Sequence, residues 1–326
     1  MKIINGEFGD QLAAGPLMNA KILGTIRICR GNEVLNAQQL GGPKSRQILE
    51  ILLMHLGTPV SKGKLVDLLW DGAAPAAAVS TLESYVSVLR RCLQPGQGKS
   101  GVLKTTTGGY LLEQEMIDLD LARFSELLAR AEHSGAKQAY ALLQEALHMA
   151  NEPLLGNELL PEWAENERRM HAARVAAAGV HAAEAALELG LASEAVRWAQ
   201  RVLDGDALNE PAWTCMILGL EQGRNPVQGL QAFERCRRVM DREMGCQPGP
   251  VLQSAQARML LDTSAENDDF GQVIRALLAI QGSLMGKSQL ARPSEAHSAA
   301  ELEFTVQEAG TIVAGYVQRA LVQVVA

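Results

Sequence analysis

The chain has 326 residues, of which 47% are hydrophobic and only 4% aromatic, and its net charge is −7. This length exceeds one ordinary hydrophobic core, so we expect two or three domains. No run of eighteen apolar residues and no signal-peptide pattern occurs, which argues against a membrane protein and predicts a cytoplasmic one.

The first residues predict a tail and then a small sheet. Residues 1–17 are rich in glycine and lack an apolar pattern, which is typical of a flexible tail. From Met18, three short extended runs predict an antiparallel sheet. These runs are Lys21–Leu23, Ile26–Ile28 and Glu33–Leu35. A helix is expected next over Lys44–Leu56, because leucine and isoleucine recur there at helical spacing.

Residues 61–112 predict two helices followed by a β-hairpin. Ser61 can cap the first helix, Asp71-Gly72 can end it, and Pro75 is expected to open the second. The hairpin covers residues 102–112. With the preceding sheet and helix, this order predicts a winged helix-turn-helix, whose second helix can lie in the DNA major groove.

The second helix of this motif has one apolar stripe and one small, polar face with a basic end. Hydroxyl groups can hydrogen-bond base edges, valine can contact a thymine methyl group, and arginine can reach phosphate or guanine. Lysines in the preceding helix and in the hairpin can bind the DNA backbone. The predicted DNA-contacting residues are Ser80, Thr81, Ser84, Tyr85, Ser87, Val88, Arg90, Arg91, Lys62, Lys64, Lys104, Thr105, Thr106 and Thr107.

A solvated surface helix would show the same polar face, so the hairpin beside it decides in favour of DNA. The charge distribution points the same way. Residues 1–115 carry twelve basic and nine acidic residues, a net charge of +3, and the remainder carries −10.

From Asp118 to about Leu261 the sequence predicts helix pairs. Small and apolar residues recur there at a spacing of 34, which is typical of tetratricopeptide-like hairpins, although ordinary helix packing would also explain it. The pairs are Ala178 and Ala212, Ala186 and Leu220, Ala195 and Gly229, Ala199 and Phe233, and Val202 and Cys236. The predicted fold class is mainly α: a winged helix-turn-helix with a small sheet, followed by an all-α helical-repeat domain.

No motif in the chain requires catalysis. Gly98-Lys99-Ser100 and Gly282–Ser288 imitate a phosphate-binding loop, but both follow helices and have the wrong glycine spacing, so we reject ATP binding. The histidines and the five scattered cysteines lack metal-ligand spacing. We therefore predict a protein that is not an enzyme and that uses no cofactor or metal.

Several motifs along the chain form a specific combination. They are Gly42-Pro43-Lys44-x-Arg46-Gln47, Leu65-Val66-Asp67-x-Leu69-Trp70, Thr81-Leu82-x2-Tyr85-Val86-Ser87-x-Leu89-Arg90-Arg91, Thr106-x-Gly108-Gly109-Tyr110-Leu111-Leu112, and Glu243-Met244-Gly245-x2-Pro248-Gly249-Pro250. The combination resembles the Streptomyces antibiotic regulatory protein family. The resemblance implies an OmpR/PhoB-type winged helix over residues 18–115 and a bacterial transcriptional activation domain over 118–262. Residues 263–326 are then a helical extension without an assigned role.

The resemblance implies a transcriptional activator that binds tandem direct repeats in double-stranded promoter DNA as a homodimer and recruits RNA polymerase. In that family the loop formed here by Trp70, Asp71, Gly72, Ala73, Ala74 and Pro75 faces the polymerase. Relatives usually carry arginine where this chain has Val88, and often in the wing at Thr107. This predicts a different DNA preference or weaker binding. The alternative is a protein-interaction adaptor whose winged helix no longer binds DNA.

Overall fold

A computed structural model describes residues 18–97, 101–158 and 161–264, together with positions 273, 277 and 313. The predicted tail, both imitations of a phosphate-binding loop and nearly all of the predicted extension 263–326 lie outside these residues. The chain divides into two compact units, one ending at Ala178 and the other beginning at Gly179. None of the described helices is long and apolar enough to cross a membrane.

Within the described ranges the chain forms seven strands and ten α-helices. The strands are β1 (Met18–Lys21), β2 (Arg27–Arg30), β3 (Glu33–Asn36), β4 (Val60–Ser61), β5 (Leu103–Thr106), β6 (Gly109–Leu112) and β7 (Ile117–Leu119). The helices are α1 (Pro43–Met54), α2 (Lys62–Trp70), α3 (Ala78–Leu93), α4 (Asp120–Glu132), α5 (Ala136–Met149), α6 (Glu162–Glu188), α7 (Ala192–Gly205), α8 (Glu210–Gln222), α9 (Pro226–Met244) and α10 (Pro250–Ser264). The predicted mainly α fold class, with a small N-terminal sheet, is confirmed.

The first sheet contains a strand that the sequence did not predict. Its order is β3-β2-β1-β7, with the three predicted strands antiparallel and β7 parallel to β1, so that Met18 lies beside Ile117. A strand of three residues is too short to show an alternating pattern, and for this reason the sequence did not indicate it. The chain therefore returns to its first strand after completing the wing.

The first strand also ends earlier than predicted. It begins at Met18 and stops at Lys21, whereas the sequence placed it over Lys21–Leu23. The cause is Asp120 at the start of α4. Its carboxylate accepts the backbone N–H groups of Ile22 and Leu23 at 2.9–3.1 Å, so these groups are not available for strand pairing.

The helix-turn-helix follows the predicted order with one corrected boundary. Ser61 Oγ accepts the backbone N–H of Lys64 at 3.1 Å and so caps α2, as predicted. At the other end, Asp71 takes the left-handed conformation with φ 49°. However, α3 begins at Ala78 and not at Pro75, because residues 75–78 form a separate turn in which the Ala78 N–H donates to the Pro75 carbonyl at 2.9 Å.

The wing is a three-stranded sheet in the order β4-β6-β5. The predicted hairpin of β5 and β6 is confirmed. The two residues of β4, which immediately precede α2, pair with β6 and form the third strand. Gly109 permits the close approach of β4, because a Cβ atom there would lie only 2.2 Å from the Val60 carbonyl oxygen. The wing is therefore fixed to the start of the helix-turn-helix.

The segment between α5 and α6 docks on the first sheet. The Gly24 N–H donates to the Pro153 carbonyl at 3.0 Å, and the Leu155 N–H donates to the Ile22 carbonyl at 2.9 Å. Asn157 Oδ1 accepts the Ile26 N–H at 2.9 Å. The turn after β1 is thereby held by residues more than a hundred positions later in the chain.

The same segment also binds α1 through side chains. Asn157 Nδ2 donates to Glu50 Oε1 at 2.8 Å. The Glu158 carboxylate accepts from the Arg46 guanidinium at 2.7 Å and from Gln47 Nε2 at 2.8 Å. α1, which supports α3, thus shares a buried polar network with the helical part of the first unit.

The spacing of 34 corresponds to a structural repeat in the helices. All ten residues of the repeat are buried. The turns repeat as well: the Leu191 N–H donates to the Ala186 carbonyl at 2.8 Å, and 34 positions later the Asn225 N–H donates to the Leu220 carbonyl at 2.9 Å. Gly190 and Arg224, one residue before each donor, both have positive φ. The tetratricopeptide-like interpretation is therefore confirmed over this part of the chain.

Candidate nucleic-acid interface

α3 has the two faces that the sequence predicted. Ala78, Leu82, Val86, Leu89 and Leu93 are buried. On the opposite side the exposed predicted residues are Ser80, Ser84, Ser87 and Arg91, and the half-buried ones are Thr81, Tyr85, Val88 and Arg90. The spacing of the three serines places them in one row along the helix. This row is the polar surface that α3 offers to a partner.

The serines of this row donate their hydrogen bonds to the helix itself. Ser80 Oγ donates to the Ala77 carbonyl at 3.0 Å, as does Thr81 Oγ1, and Ser84 Oγ donates to the Ser80 carbonyl at 3.1 Å. Ser87 Oγ donates to the Glu83 carbonyl at 2.9 Å. Each hydroxyl oxygen still has lone pairs that can accept a hydrogen bond from outside. In this state the row presents acceptors to the exterior.

Arg90 points toward the wing. Its Nε donates to the Leu103 carbonyl at 3.1 Å and its Nη2 to Thr105 Oγ1 at 2.7 Å. The guanidinium also lies 5.9 Å from the ring of Tyr110, which is buried in β6. Arg90 therefore fixes the position of the wing against α3, and it is not extended from the outward face beside Arg91.

The predicted lysines also have partners within the first unit. Lys62 Nζ donates to Glu83 Oε1 at 2.5 Å, and this hydrogen bond raises the pKa of Lys62. Lys64 Nζ lies 2.9 Å from His55 Nε2. Lys104 Nζ lies 2.7 Å from Glu113 Oε1. Much of the positive charge predicted for DNA is therefore compensated within the chain.

Arg91 differs from these residues. It is exposed near the end of α3, and within the described part of the chain no ion pair or hydrogen bond engages its guanidinium. An arginine in this state can bind phosphate or a guanine edge without first breaking an internal contact.

The structure adds Glu83 to the predicted surface. Glu83 lies on the exposed face of α3 between Ser80 and Ser84, and its carboxylate pairs with Lys62. Helical spacing alone places Glu83 on the polar face, but the sequence analysis did not expect an acidic residue beside DNA. A carboxylate can accept a hydrogen bond from the amino group of cytosine.

Val88 is less exposed than the serines of the row. It is half-buried, and a Cβ atom at Gly41 would lie 3.0 Å from Val88 Cγ1. The side chain therefore lies against the backbone that precedes α1. The remaining wing residues lie at the hairpin tip, where Thr105 and Thr107 are exposed and Thr106 is half-buried.

The loop predicted to face polymerase is open to solvent. Trp70 is half-buried, and all residues from Asp71 to Pro75 are exposed. The Ala73 N–H donates to the Trp70 carbonyl at 2.9 Å, and Lys44 Nζ lies 5.9 Å from the Trp70 ring. The loop is therefore an ordered turn with accessible backbone and small side chains.

Comparison with known proteins identifies both parts of the chain. A family model described as "Transcriptional regulatory protein, C terminal" matches residues 38–112. A second, described as "Bacterial transcriptional activator domain", matches residues 119–260. Together the two matches cover the winged helix and the helical repeats.

Several curated regulators are similar to the chain. The regulatory protein AfsR of Streptomyces griseus is 29% identical over 253 residues, which are 76% of this chain and 25% of AfsR. The regulatory protein DnrI of Streptomyces peucetius is 26% identical over 227 residues, which are 67% of this chain and 84% of DnrI. The match to AfsR thus spans only a quarter of that longer protein, whereas most of DnrI is covered.

A solved structure shows the same fold. It is Mycobacterium tuberculosis EmbR in complex with a low affinity phosphopeptide, with a TM-score of 0.66 at 24% identity, and the match covers 88% of this chain and 76% of that one. The curated EmbR of Mycobacterium bovis is 28% identical over 225 residues, which are 68% of this chain and 58% of EmbR. With both domain types present in the same order, the chain belongs to the Streptomyces antibiotic regulatory protein family of transcriptional regulators, which join an OmpR/PhoB-type winged helix to a bacterial transcriptional activation domain.

Proposed function

We propose that this chain is a sequence-specific activator that binds promoter DNA through α3 and the wing. The observation that supports this most directly is the row of Ser80, Ser84 and Ser87, which leads to Arg91, whose guanidinium has no ion pair or hydrogen bond within the described ranges. From Ser80 to Ser87 the row is about 10 Å long at the α-helical rise. This length matches about three base pairs at their spacing of about 3.4 Å.

In this proposal the residues divide by role. The serine row and Glu83 contact base edges in the major groove, whereas Arg91 and the exposed threonines of the wing contact the DNA backbone. Lys62 moves from Glu83 to a phosphate when DNA is present, because the phosphate backbone offers a denser negative charge than a single carboxylate. The Glu83 carboxylate then accepts a hydrogen bond from the amino group of cytosine. Arg90 holds the wing in register with α3.

The family membership also supports binding to tandem direct repeats as a homodimer, with recruitment of RNA polymerase. The turn from Trp70 to Pro75, which is exposed from Asp71 onward, is the surface assigned to polymerase in this proposal. Its small side chains leave the backbone open to a partner. We expect no chemical reaction on a substrate, because the proposed mechanism consists of binding and recruitment.

The experiment is a binding titration of the full chain on promoter fragments from its own gene neighbourhood, measured by fluorescence anisotropy at increasing salt. Specific binding that weakens steeply with salt is expected, because phosphate contacts release counterions. Arg91→Ala should weaken binding to all fragments, whereas Ser84→Ala should change which bases are protected in a footprint. If both variants give the footprint and affinity of the parent chain, the assigned face of α3 is wrong.

A second candidate is the adaptor function, in which the winged helix contacts protein. The pairing of Lys62 with Glu83 and of Lys104 with Glu113 favours it, because it lowers the free positive charge. The same titration separates the two candidates. Absence of binding at low salt, together with a tight protein partner, would support the adaptor.

A further inference from the structure

The second unit contains a cleft that the proposed DNA interface does not use. It has a volume of about 590 Å³ and lies between α7, α8 and α9. Its apolar part is formed by Leu203, Trp213 and Val239, and its charged part by Arg235, Arg238 and Arg242. The cleft therefore combines apolar surface with three guanidinium groups.

The three arginines lie on one side of α9. Their spacing of three and then four residues places them above one another on successive turns. All three are exposed. Arg235 stacks 5.5 Å from the Trp213 ring. Arg238 Nε lies 3.4 Å from the Glu234 carbonyl oxygen and 3.9 Å from Glu234 Oε1, and Arg242 pairs with its neighbour Glu243 at 2.6 Å. These contacts hold the guanidinium groups near the cleft and leave donors available, because each group has five N–H bonds.

The apolar part of the cleft is rigid. Trp213 is only 4% exposed, and its Nε1 donates to the Ala207 carbonyl at 2.9 Å, which fixes the orientation of the ring. Leu203 is buried beside it. A ligand complementary to this cleft therefore carries anionic groups for the arginines and at least one apolar side chain for the surface around Trp213.

We propose that this cleft binds an acidic peptide segment of a partner protein. Its carboxylates pair with Arg235, Arg238 and Arg242, and an apolar side chain between them packs on Trp213. Guanidinium groups bind carboxylates through two parallel hydrogen bonds, which suits such a segment. Duplex DNA fits less well, because its phosphates lie on a convex surface and offer nothing apolar to a concave cleft. The chain itself is acidic overall, so this basic site is a local exception.

The test uses the full chain and a fluorescein-labelled synthetic peptide in which glutamates flank a single leucine. The control peptide carries glutamine at each glutamate position, and a second control replaces the leucine by serine. We expect saturable anisotropy with the first peptide and markedly weaker binding of both controls. The double variant Arg238→Glu/Arg242→Glu should bind the acidic peptide about ten-fold more weakly or worse, because two charge-assisted contacts become repulsive.

The matched control is Arg237→Gln, since Arg237 lies on the same helix outside the cleft and pairs with Glu234 at 2.7 Å. It should bind the acidic peptide within about two-fold of the parent chain. If circular dichroism shows that the charge-reversed variant has lost its helical structure, the variant Arg238→Gln/Arg242→Gln replaces it. Equal binding by the parent chain and a folded double variant would refute the proposal.

Duplex DNA of random sequence provides the last comparison. If it displaces the peptide and the folded double variant loses affinity for DNA, the cleft contacts a nucleic-acid backbone and the peptide proposal is wrong. The proposal does not depend on binding through α3. A chain that failed to bind promoter DNA would still bind the peptide, so the two proposals can fail separately.

Discussion

At the scale of single residues, Glu50 is the side chain most altered by its surroundings. It is 0% exposed in α1. Burial raises the pKa of its carboxyl to about 8, and the nearby Glu158 adds to the rise, while the hydrogen bond from Asn157 and the charge of Arg46 oppose it. Within the described residues Glu50 Oε2 has no hydrogen-bond partner. Glu50 is therefore mainly protonated at neutral pH.

This makes the stability of the first unit dependent on pH in a defined direction. The pKa of Glu50 is about 8 in the folded chain, whereas its ordinary value, which applies to the unfolded chain, is 4.5. As the pH rises above 4.5, Glu50 therefore loses its proton in the unfolded state while it keeps it in the folded state. The unfolded state then binds fewer protons than the folded state, and the free energy of unfolding falls as the pH rises toward 8. We expect Glu50→Gln to remove this decrease, because a neutral amide keeps the acceptor for Asn157 without titrating.

The measurement is the Tm of both proteins between pH 4 and pH 9. The difference between variant and parent should be smallest at the acidic end and should increase in favour of the variant as the pH rises. Glu126→Gln, at an exposed position of α4, is the control and should leave the profile of the parent unchanged. A difference that is constant over the whole range would contradict the assignment to Glu50.

The neighbours Arg90 and Arg91 should separate stability from binding. Arg90 makes two hydrogen bonds to the wing, so Arg90→Ala should lower the free energy of unfolding by about 1–2 kcal/mol. Among the residues that the structure describes, Arg91 has no such contact, and Arg91→Ala should stay within about 0.5 kcal/mol of the parent while it weakens DNA binding. Urea unfolding and anisotropy on the same samples test this. If Arg91→Ala lowered the free energy of unfolding and Arg90→Ala left it unchanged, the roles assigned to the two arginines would be wrong.

At the scale of elements, the two equivalent turns of the helical repeat carry different residues at the position with left-handed backbone. Gly190 has φ +72° in the first turn, and Arg224 has φ 55° at the same place in the second. The left-handed conformation strains a residue with a Cβ atom, whereas glycine adopts it freely.

We therefore expect Arg224→Gly to stabilise the second unit by about 1 kcal/mol. Gly190→Ala, the reverse change at the equivalent turn, should destabilise it by a similar amount. Both values are measured from urea unfolding curves of the full chain. If Arg224→Gly lowered the free energy of unfolding, the contacts of the Arg224 side chain would stabilise the fold by more than its left-handed backbone destabilises it.

The elements also show what the sequence could predict and what it could not. The helices and the spacing of 34 were predictable because buried residues recur with a fixed period, and the polar face of α3 followed from the same spacing. β7 and the docking of Asn157 and Glu158 were not, because they are short, irregular and paired with residues far away along the chain. The direction of Arg90 also escaped prediction, since it depends on where the wing lies.

At the scale of the whole molecule, the first unit continues well past the winged helix. Asp120, Asn157 and Glu158 satisfy backbone and side-chain groups of the first sheet and α1. The predicted domain boundary near residue 115 would remove all three residues and β7 with them. We propose that the smallest fragment with a stable winged helix runs from residue 18 to residue 178.

Two fragments test this proposal. Residues 18–178 should unfold cooperatively in a thermal scan. Residues 18–115 should melt at a much lower temperature or without a transition, because Glu50, Gln47 and Arg46 lose buried partners, and each unsatisfied group costs about 1–3 kcal/mol. Equal melting temperatures for the two fragments would support the boundary near residue 115. They would also mean that the docked segment does not stabilise the winged helix.

The docked segment also affects the order in which the protein can fold as it is made. Its hydrogen bonds to the first sheet and α1 join residues separated by 107 to 133 positions, from Glu50 and Asn157 to Ile22 and Leu155. At a synthesis rate of about 5–20 residues per second, the first strands wait on the order of ten seconds for these partners. The N-terminal sheet of a nascent chain therefore reaches its final state only after α4, α5 and the docked segment have left the ribosome.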